Sequence, residues 1–94
     1  MTPAEQERLD MLAEEAAEII QIICKIKRHG VDSYHPADPS MSNKDLLKEE
    51  LIDFSTILIQ MCKEGDIDDW PENKEVYDAR WAKKLRYTHH QEAL

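Results

Sequence analysis

The sequence predicts an all-α chain, a bundle of three main helices per chain completed by oligomerisation. Three observations carry this. Apolar residues recur at three- and four-residue spacing through long segments, no segment alternates with the two-residue period of a strand, and glycine and proline gather at a few breaks. Ninety-four residues make one domain, 1–94. So short a chain has difficulty burying both faces of three long helices, so association with further copies is the expected way to finish the core.

The elements follow in order. Thr2-Pro3-Ala4-Glu5 has the form of a capping box with proline at the first helical position. A first helix should run from there to about Arg28, with Gly30 as its stop. The stretch HGVDSYHPADPSMS (29–42) holds Gly30, Pro36 and Pro39 and cannot be regular structure. Ser42 caps a second helix over NKDLLKEELIDFSTILIQMCKE (43–64), stopped by Gly65. Asp69 or Trp70, followed by Pro71, opens a third over ENKEVYDARWAKKLRY (72–87).

A net charge of -8 argues against a nucleic-acid duplex or an anionic membrane as partner, since both select a basic surface. A phosphate-bearing ligand would need local cations, most simply metal ions. Cys24 and Cys62 have no paired spacing and read as reduced core thiols. With no segment long and apolar enough to span a membrane and no signal-type N-terminus, the expected location is the cytoplasm.

Placing residues at about 100° each shows where the acids point. In the first helix Leu9, Leu12, Ala16, Ile19, Ile20, Ile23 and Ile26 define the apolar face. Glu15 falls between Ile22 and Ile26 inside it, Glu18 lies at its border beside Met11, and Glu14 joins the wet side. The second helix repeats this, with Leu46, Leu47, Leu51, Phe54, Ile57, Leu58 and Met61 as its apolar face. Glu50 sits near the middle of that face, Asp53 at its edge, and Glu49 points away. Each helix thus presents one central and one bordering carboxylate on neighbouring turns of one side.

Packing the two faces together brings Glu15, Glu18, Glu50 and Asp53 toward one place. Burying unpaired anions costs several kcal/mol each, and clustering them adds repulsion. Protonation or divalent cations relieve it, and neither inward face offers matching lysine or arginine. Oxygen-only ligands suit a hard ion, Mg²⁺ or Mn²⁺. The competing explanation is chance: a three-residue carboxylate spacing is common, and one inward glutamate is usually a snorkelling or capped side chain. Its occurrence on two helices weighs the other way.

EEAAE (14–18) and ELID (50–53) match the EExxE and ExxD patterns of the all-α nucleoside triphosphate pyrophosphohydrolases typified by MazG, and the chain resembles that family over most of its length. DARWAKKLRY (78–87) looks like the family's NxKFxRRFxY stretch, and RHGVDSYHP (28–36) is similar to a loop of its short, phage-encoded members. The resemblance implies metal-dependent hydrolysis of a (deoxy)nucleoside triphosphate between the α and β phosphates, giving the monophosphate and pyrophosphate. It implies Glu15, Glu18, Glu50 and Asp53 as catalytic metal ligands, Mg²⁺ as cofactor with Mn²⁺ substituting, and a homodimer or homotetramer. For a phage-encoded member the location would be the host cytoplasm. The chain departs from the pattern in two ways: a longer interval between the motifs, and Asp78 and Arg80 where the family more often has Asn and Lys.

Arg80, Lys83 and Lys84 form the one basic cluster, and Arg80 and Lys84, a turn apart beside Tyr77, suit a β or γ phosphate. A solvated helix end whose cations favour the dipole explains them as well. Asp78 joins them as a substrate contact by resemblance. Tyr34 and His35, with Asp32, stand in a loop longer than most helix connections, where they can cover a base or ribose or merely pack over the bundle. Residues 65–69 are acidic but lack the glycine and terminal glutamate of a calcium loop. His89 and His90 lie in solvent, and Trp70 and Trp81 read as core or interface anchors. Two alternatives stand beside the main expectation. One is an enzyme like phosphoribosyl-ATP pyrophosphohydrolase, whose motifs are usually linked more compactly; the other is a non-catalytic acidic dimerisation module that keeps a metal site.

Overall fold

The computed structural model describes residues 1–68 and 70–91. It contains three α-helices, α1 (Pro3–His29), α2 (Asn43–Lys63) and α3 (Lys74–Leu85), and no strand among the described residues. The chain is all-α.

Helix α1 begins as its sequence chemistry requires. Thr2 Oγ1 accepts from the Glu5 amide, and Glu5 Oε2 accepts from the Thr2 amide, so two orphan donors are satisfied reciprocally. It ends at Gly30, whose φ of 91° favours a residue without Cβ and whose amide donates to Ile26 O. Helix α2 opens with a second capping box, Ser42 with Asp45. Its C-terminus closes through Gly65 (φ 81°), with the Gly65 amide donating to Cys62 O and the Asp66 amide to Met61 O. That pair of bonds is the Schellman arrangement.

Helix α3 starts later than Pro71 suggests. Asn73, not Asp69 or Trp70, is its N-cap: Asn73 Oδ1 accepts from the Val76 amide at 2.8 Å. Trp70 Nε1 donates to Tyr77 Oη and Tyr77 Oη donates to Pro71 O, which brackets the entry outside the helix. The expected capping role of Asp69, and the part of the acidic run it ends, fall outside the described residues.

The core is the α1–α2 contact, and α3 packs against neither helix among the described residues. Only Ile22 (8% exposed) and Met61 (3%) are buried hydrophobics there. The half-buried stripe on α1 runs Leu12, Glu15, Ala16, Ile19, Ile22 and Ile26, with Ile22 alone buried, so the contact face is rotated from the expected arc toward Glu15 and Ile22. Ile20 (61% exposed), Ile23, Leu9 and Leu51 therefore face outward, contrary to the wheel. Cys24 is exposed rather than a core thiol, and Trp70 is exposed rather than an anchor. A radius of gyration of 16.5 Å exceeds the roughly 12 Å of a compact domain of this length.

Between the long helices, residues 30–42 form an ordered loop tied to the start of α2. The Asn43 amide donates to Ser33 O at 2.7 Å and the Lys44 amide to Val31 O at 2.9 Å. Asn43 Nδ2, on the one buried polar side chain of the described residues, donates to Gly30 O. Tyr34 pairs with Ser42 in an isolated antiparallel bridge. No helix among the described residues is long and apolar enough to cross a membrane.

Candidate metal centre

The α1–α2 packing places Glu15 and Glu50, the central acids of their helices, within the contact, both only partly accessible. Glu15, Glu50 and Asp53 each offer a carboxylate oxygen within 4.8 Å of the other two. Asp53 reaches in from an exposed position at the edge. Glu18, also exposed, interacts with both Glu15 and Glu50 but does not join the three acids whose oxygens converge. Glu14 and Glu49 point to solvent.

The electrostatics follow from this placement. Glu50 is pushed up to about 7 from the ordinary 4.5, first by the hydrogen bond its protonated carboxyl donates to Glu18, then by burial and by Glu15. Glu15 is raised by burial first, a rise partly offset by the hydrogen bond it accepts from Glu50. With every carboxyl ionised, Glu15 Oε2 and Glu50 Oε2 are buried and have no partner. A buried oxygen in that state calls for a proton or a cation. The converging donor set is all oxygen, from the three acids Glu15, Glu50 and Asp53, which fits a hard divalent ion.

The other expected site residues lie elsewhere. Tyr34 and His35 line a separate cleft at the far end of the hairpin. Arg80, Lys83 and Lys84 are exposed on α3, which the structure does not bring against the carboxylates. Asp78 is engaged by Lys74 Nζ at 2.5 Å, one turn away on its own helix. His89 and His90 are exposed.

One structural pair was not expected. Arg8 Nε and Nη2 grip Asp66 Oδ2 and Oδ1 at 2.5 and 2.8 Å, tying the start of α1 to the turn after α2. The guanidinium hydrogen bond holds Asp66 below the usual carboxylate range, against burial. Its only sequence signal is an arginine in the first helix and an acid just past a helix stop, too little to pair residues so far apart. Comparison with family models, curated proteins and solved structures returns no match.

Proposed function

We propose that the chain is a metal-dependent nucleotide pyrophosphohydrolase, cleaving a (deoxy)nucleoside triphosphate between the α and β phosphates. The observation that carries this is the pair of buried, unpartnered oxygens of Glu15 and Glu50, with Asp53 completing a cluster inside 4.8 Å. A cluster of like charges within a helix contact lowers stability, so its persistence at a packed position favours a use in binding cations. The EEAAE and ELID patterns, which resemble those of MazG-like enzymes, support the same assignment.

Glu15 and Glu50 would hold Mg²⁺ or Mn²⁺ with their buried oxygens, while Asp53 and Glu18 complete the rim. An ion held there would supply Lewis-acid polarisation of phosphate oxygens and an acidified water. The chain's own contribution is to orient these oxygens on two rigid helices. Arg80, Lys83 and Lys84 are the cations available for the outer phosphates, with Asp78 beside them. Because α3 stands clear of the hairpin, they reach the carboxylates by docking α3 there or by serving the site of a neighbouring copy.

The same reading includes self-association. Ile20 and Ile23 on α1 and Leu51, Ile52 and Ile59 on α2 are exposed apolar residues on the two long helices. A homodimer or homotetramer would cover them. That apolar surface also favours a second reading, a non-catalytic acidic dimerisation module with a structural ion. One experiment separates the two. Purified protein is given Mg²⁺ or Mn²⁺ and a panel of canonical and damaged nucleotides, and pyrophosphate and monophosphate are quantified. Equimolar release of both, abolished by chelation, supports hydrolysis. Metal binding and dimerisation with no pyrophosphate from any substrate leaves the module.

A further inference from the structure

Beyond the carboxylates, the described residues contain a cleft of opposite character. It has a volume of about 360 Å³ and lies between the C-terminal turns of α1, the 30–42 loop and the start of α2. Lys25, Arg28, Tyr34, His35, Asn43 and Leu46 are among its walls. The chain carries 20 acids and a net charge of -8, yet no carboxylate lines this cleft among the described residues. Its size falls within the range of small-molecule pockets.

The cleft is built in advance. Asn43, 6% exposed, anchors the loop through its side chain to Gly30 O and through its amide to Ser33 O. The loop is further held by the Asp38 amide to His35 O and the Met41 amide to Asp38 O. His35 Nδ1 accepts from the Ala37 amide at 3.0 Å, so a neutral ring carries its proton on Nε2, the nitrogen left free to donate. Lys25 and Arg28 have only donors. Tyr34 leaves about half its surface open, on a backbone fixed by its bridge to Ser42.

The cleft also lies in line with the carboxylates. Lys25 follows Glu18 by seven residues, and Leu46 precedes Asp53 by seven. Seven residues are close to two helical turns, so each pair shares one strip of its helix about 10 Å apart. The helices run antiparallel, with Lys25 and Leu46 on the same cleft, so both strips lead to one end of the hairpin. The cations of the last turn of α1 also favour its dipole, but Lys25 stands outside that turn, and Tyr34 and His35 come from the loop.

We propose that this cleft is the base subsite of the site described above, and that it takes a 6-keto purine of the guanine type. The inference rests on the pyrophosphohydrolase reading for the phosphates and on the cleft alone for the base. Arg28 presents a fork matched to the two adjacent acceptors, O6 and N7, of such a base. Lys25 and His35 add donors, and the Tyr34 ring offers a stacking face. Adenine sets an amino donor against this donor set and leaves it unpaired. The phosphates then run along the shared strip toward Glu18 and Asp53.

The test titrates metal-free full-length protein with deoxyguanosine, deoxyinosine, deoxyadenosine and inorganic phosphate, following backbone amide shifts. Deoxyguanosine and deoxyinosine are expected to shift Tyr34, His35 and Leu46, with deoxyadenosine about tenfold weaker. Arg28→Ala is expected to remove that difference while leaving the melting temperature near wild type, since Arg28 is exposed. In turnover assays with Mn²⁺, the ratio of kcat/KM for dGTP over dATP should fall about tenfold in the same variant. Equal response to the nucleosides, or a response to phosphate alone, overturns the inference. Pyrophosphate release with no change of base ratio in Arg28→Ala overturns it and leaves the hydrolase reading standing. Nucleoside discrimination without pyrophosphate release from any triphosphate upholds the cleft and sinks the hydrolase reading.

Discussion

Replacing Glu50 by glutamine tests the carboxylate cluster through stability, independently of any substrate. Glu50 is pushed from 4.5 to about 7 in the fold. A raised carboxyl contributes stability that is fully present below the unfolded value and is lost as pH rises through the folded one. At 1.36 kcal/mol per unit the full swing is about 3 kcal/mol. Solvent at the exposed rim around Glu18 and Asp53 screens part of it, so about 1–2 kcal/mol is expected. Glutamine keeps the shape and cannot ionise, so this pH dependence disappears. Metal-free wild type should therefore lose about 1–2 kcal/mol against Glu50→Gln between pH 5 and 8, or roughly 5–10 °C in relative Tm for a domain of this size. The Arg8–Asp66 pair does not disturb the comparison: Asp66 is lowered from 3.8, so its contribution is lost only at pH below this window. Mn²⁺ at a hundredfold excess over its Kd should restore about 2.7 kcal/mol to wild type at pH 8 and little to the variant. At pH 5 protons compete for the same oxygens and the gain shrinks. The assay is a series of melts across this range for both proteins, with and without Mn²⁺. Parallel curves for the two proteins, or a wild-type Tm indifferent to Mn²⁺ at every pH, would refute the reasoning.

Within the hydrolase reading, Glu15→Gln should reduce pyrophosphate release to background, whereas Glu49→Gln should retain most of it; equal losses at both would remove the distinction between inward and outward acids. Arg8→Ala should lower Tm more than Arg86→Ala, because Asp66 then loses the guanidinium that grips it, while Arg86 is exposed and makes no ion pair among the described residues; thermal melts decide it. Light scattering at micromolar concentration should give a dimer or larger, and Ile59→Lys should shift the population toward monomer. A monomeric wild type would contradict the proposed assembly.

The parts of this fold that depend on adjacent residues were legible in the sequence. The Thr2–Glu5 capping box, the Ser42 cap and both glycine stops are local chemistry, and the ends of α1 and α2 follow from them within a residue or two. The start of α3 departs from the sequence expectation because Pro71 satisfies the general preference for proline at a first turn, whereas the helix begins after Asn73. Asn73 competes for the same role, and its side chain reaches the Val76 amide. Which sector of a wide apolar arc faces a neighbour is set by the neighbour, so Ile22 lies inside while Ile20 and Ile23 do not. Glu15 and Glu50 survived that rotation because they sit near the middle of their stripes on the wheel. Glu18 and Asp53, drawn at the border, are the two left exposed. The Arg8–Asp66 pair depends on the path of the turn after α2, which no local pattern encodes.

The placement of the carboxylates also bears on why the core is so open. In a two-helix contact the central positions normally carry the largest apolar side chains, and here Glu15 and Glu50 occupy two of them. The hairpin thereby forgoes hydrophobic burial where it would contribute most, and adds repulsion between acids that lack a counter-charge. Ile22 and Met61 alone cannot offset the chain entropy of ninety-four residues. On the proposed reading two sources of stability remain at hand: cations on the buried oxygens, and a partner surface over the outward isoleucines and Leu51. Both act by mass action on the folded form, and they are additive where they do not touch. Metal loading and self-association should accordingly each raise Tm, and raising protein concentration should change the absolute stability gain from metal only if the two sites are coupled through the α1–α2 contact.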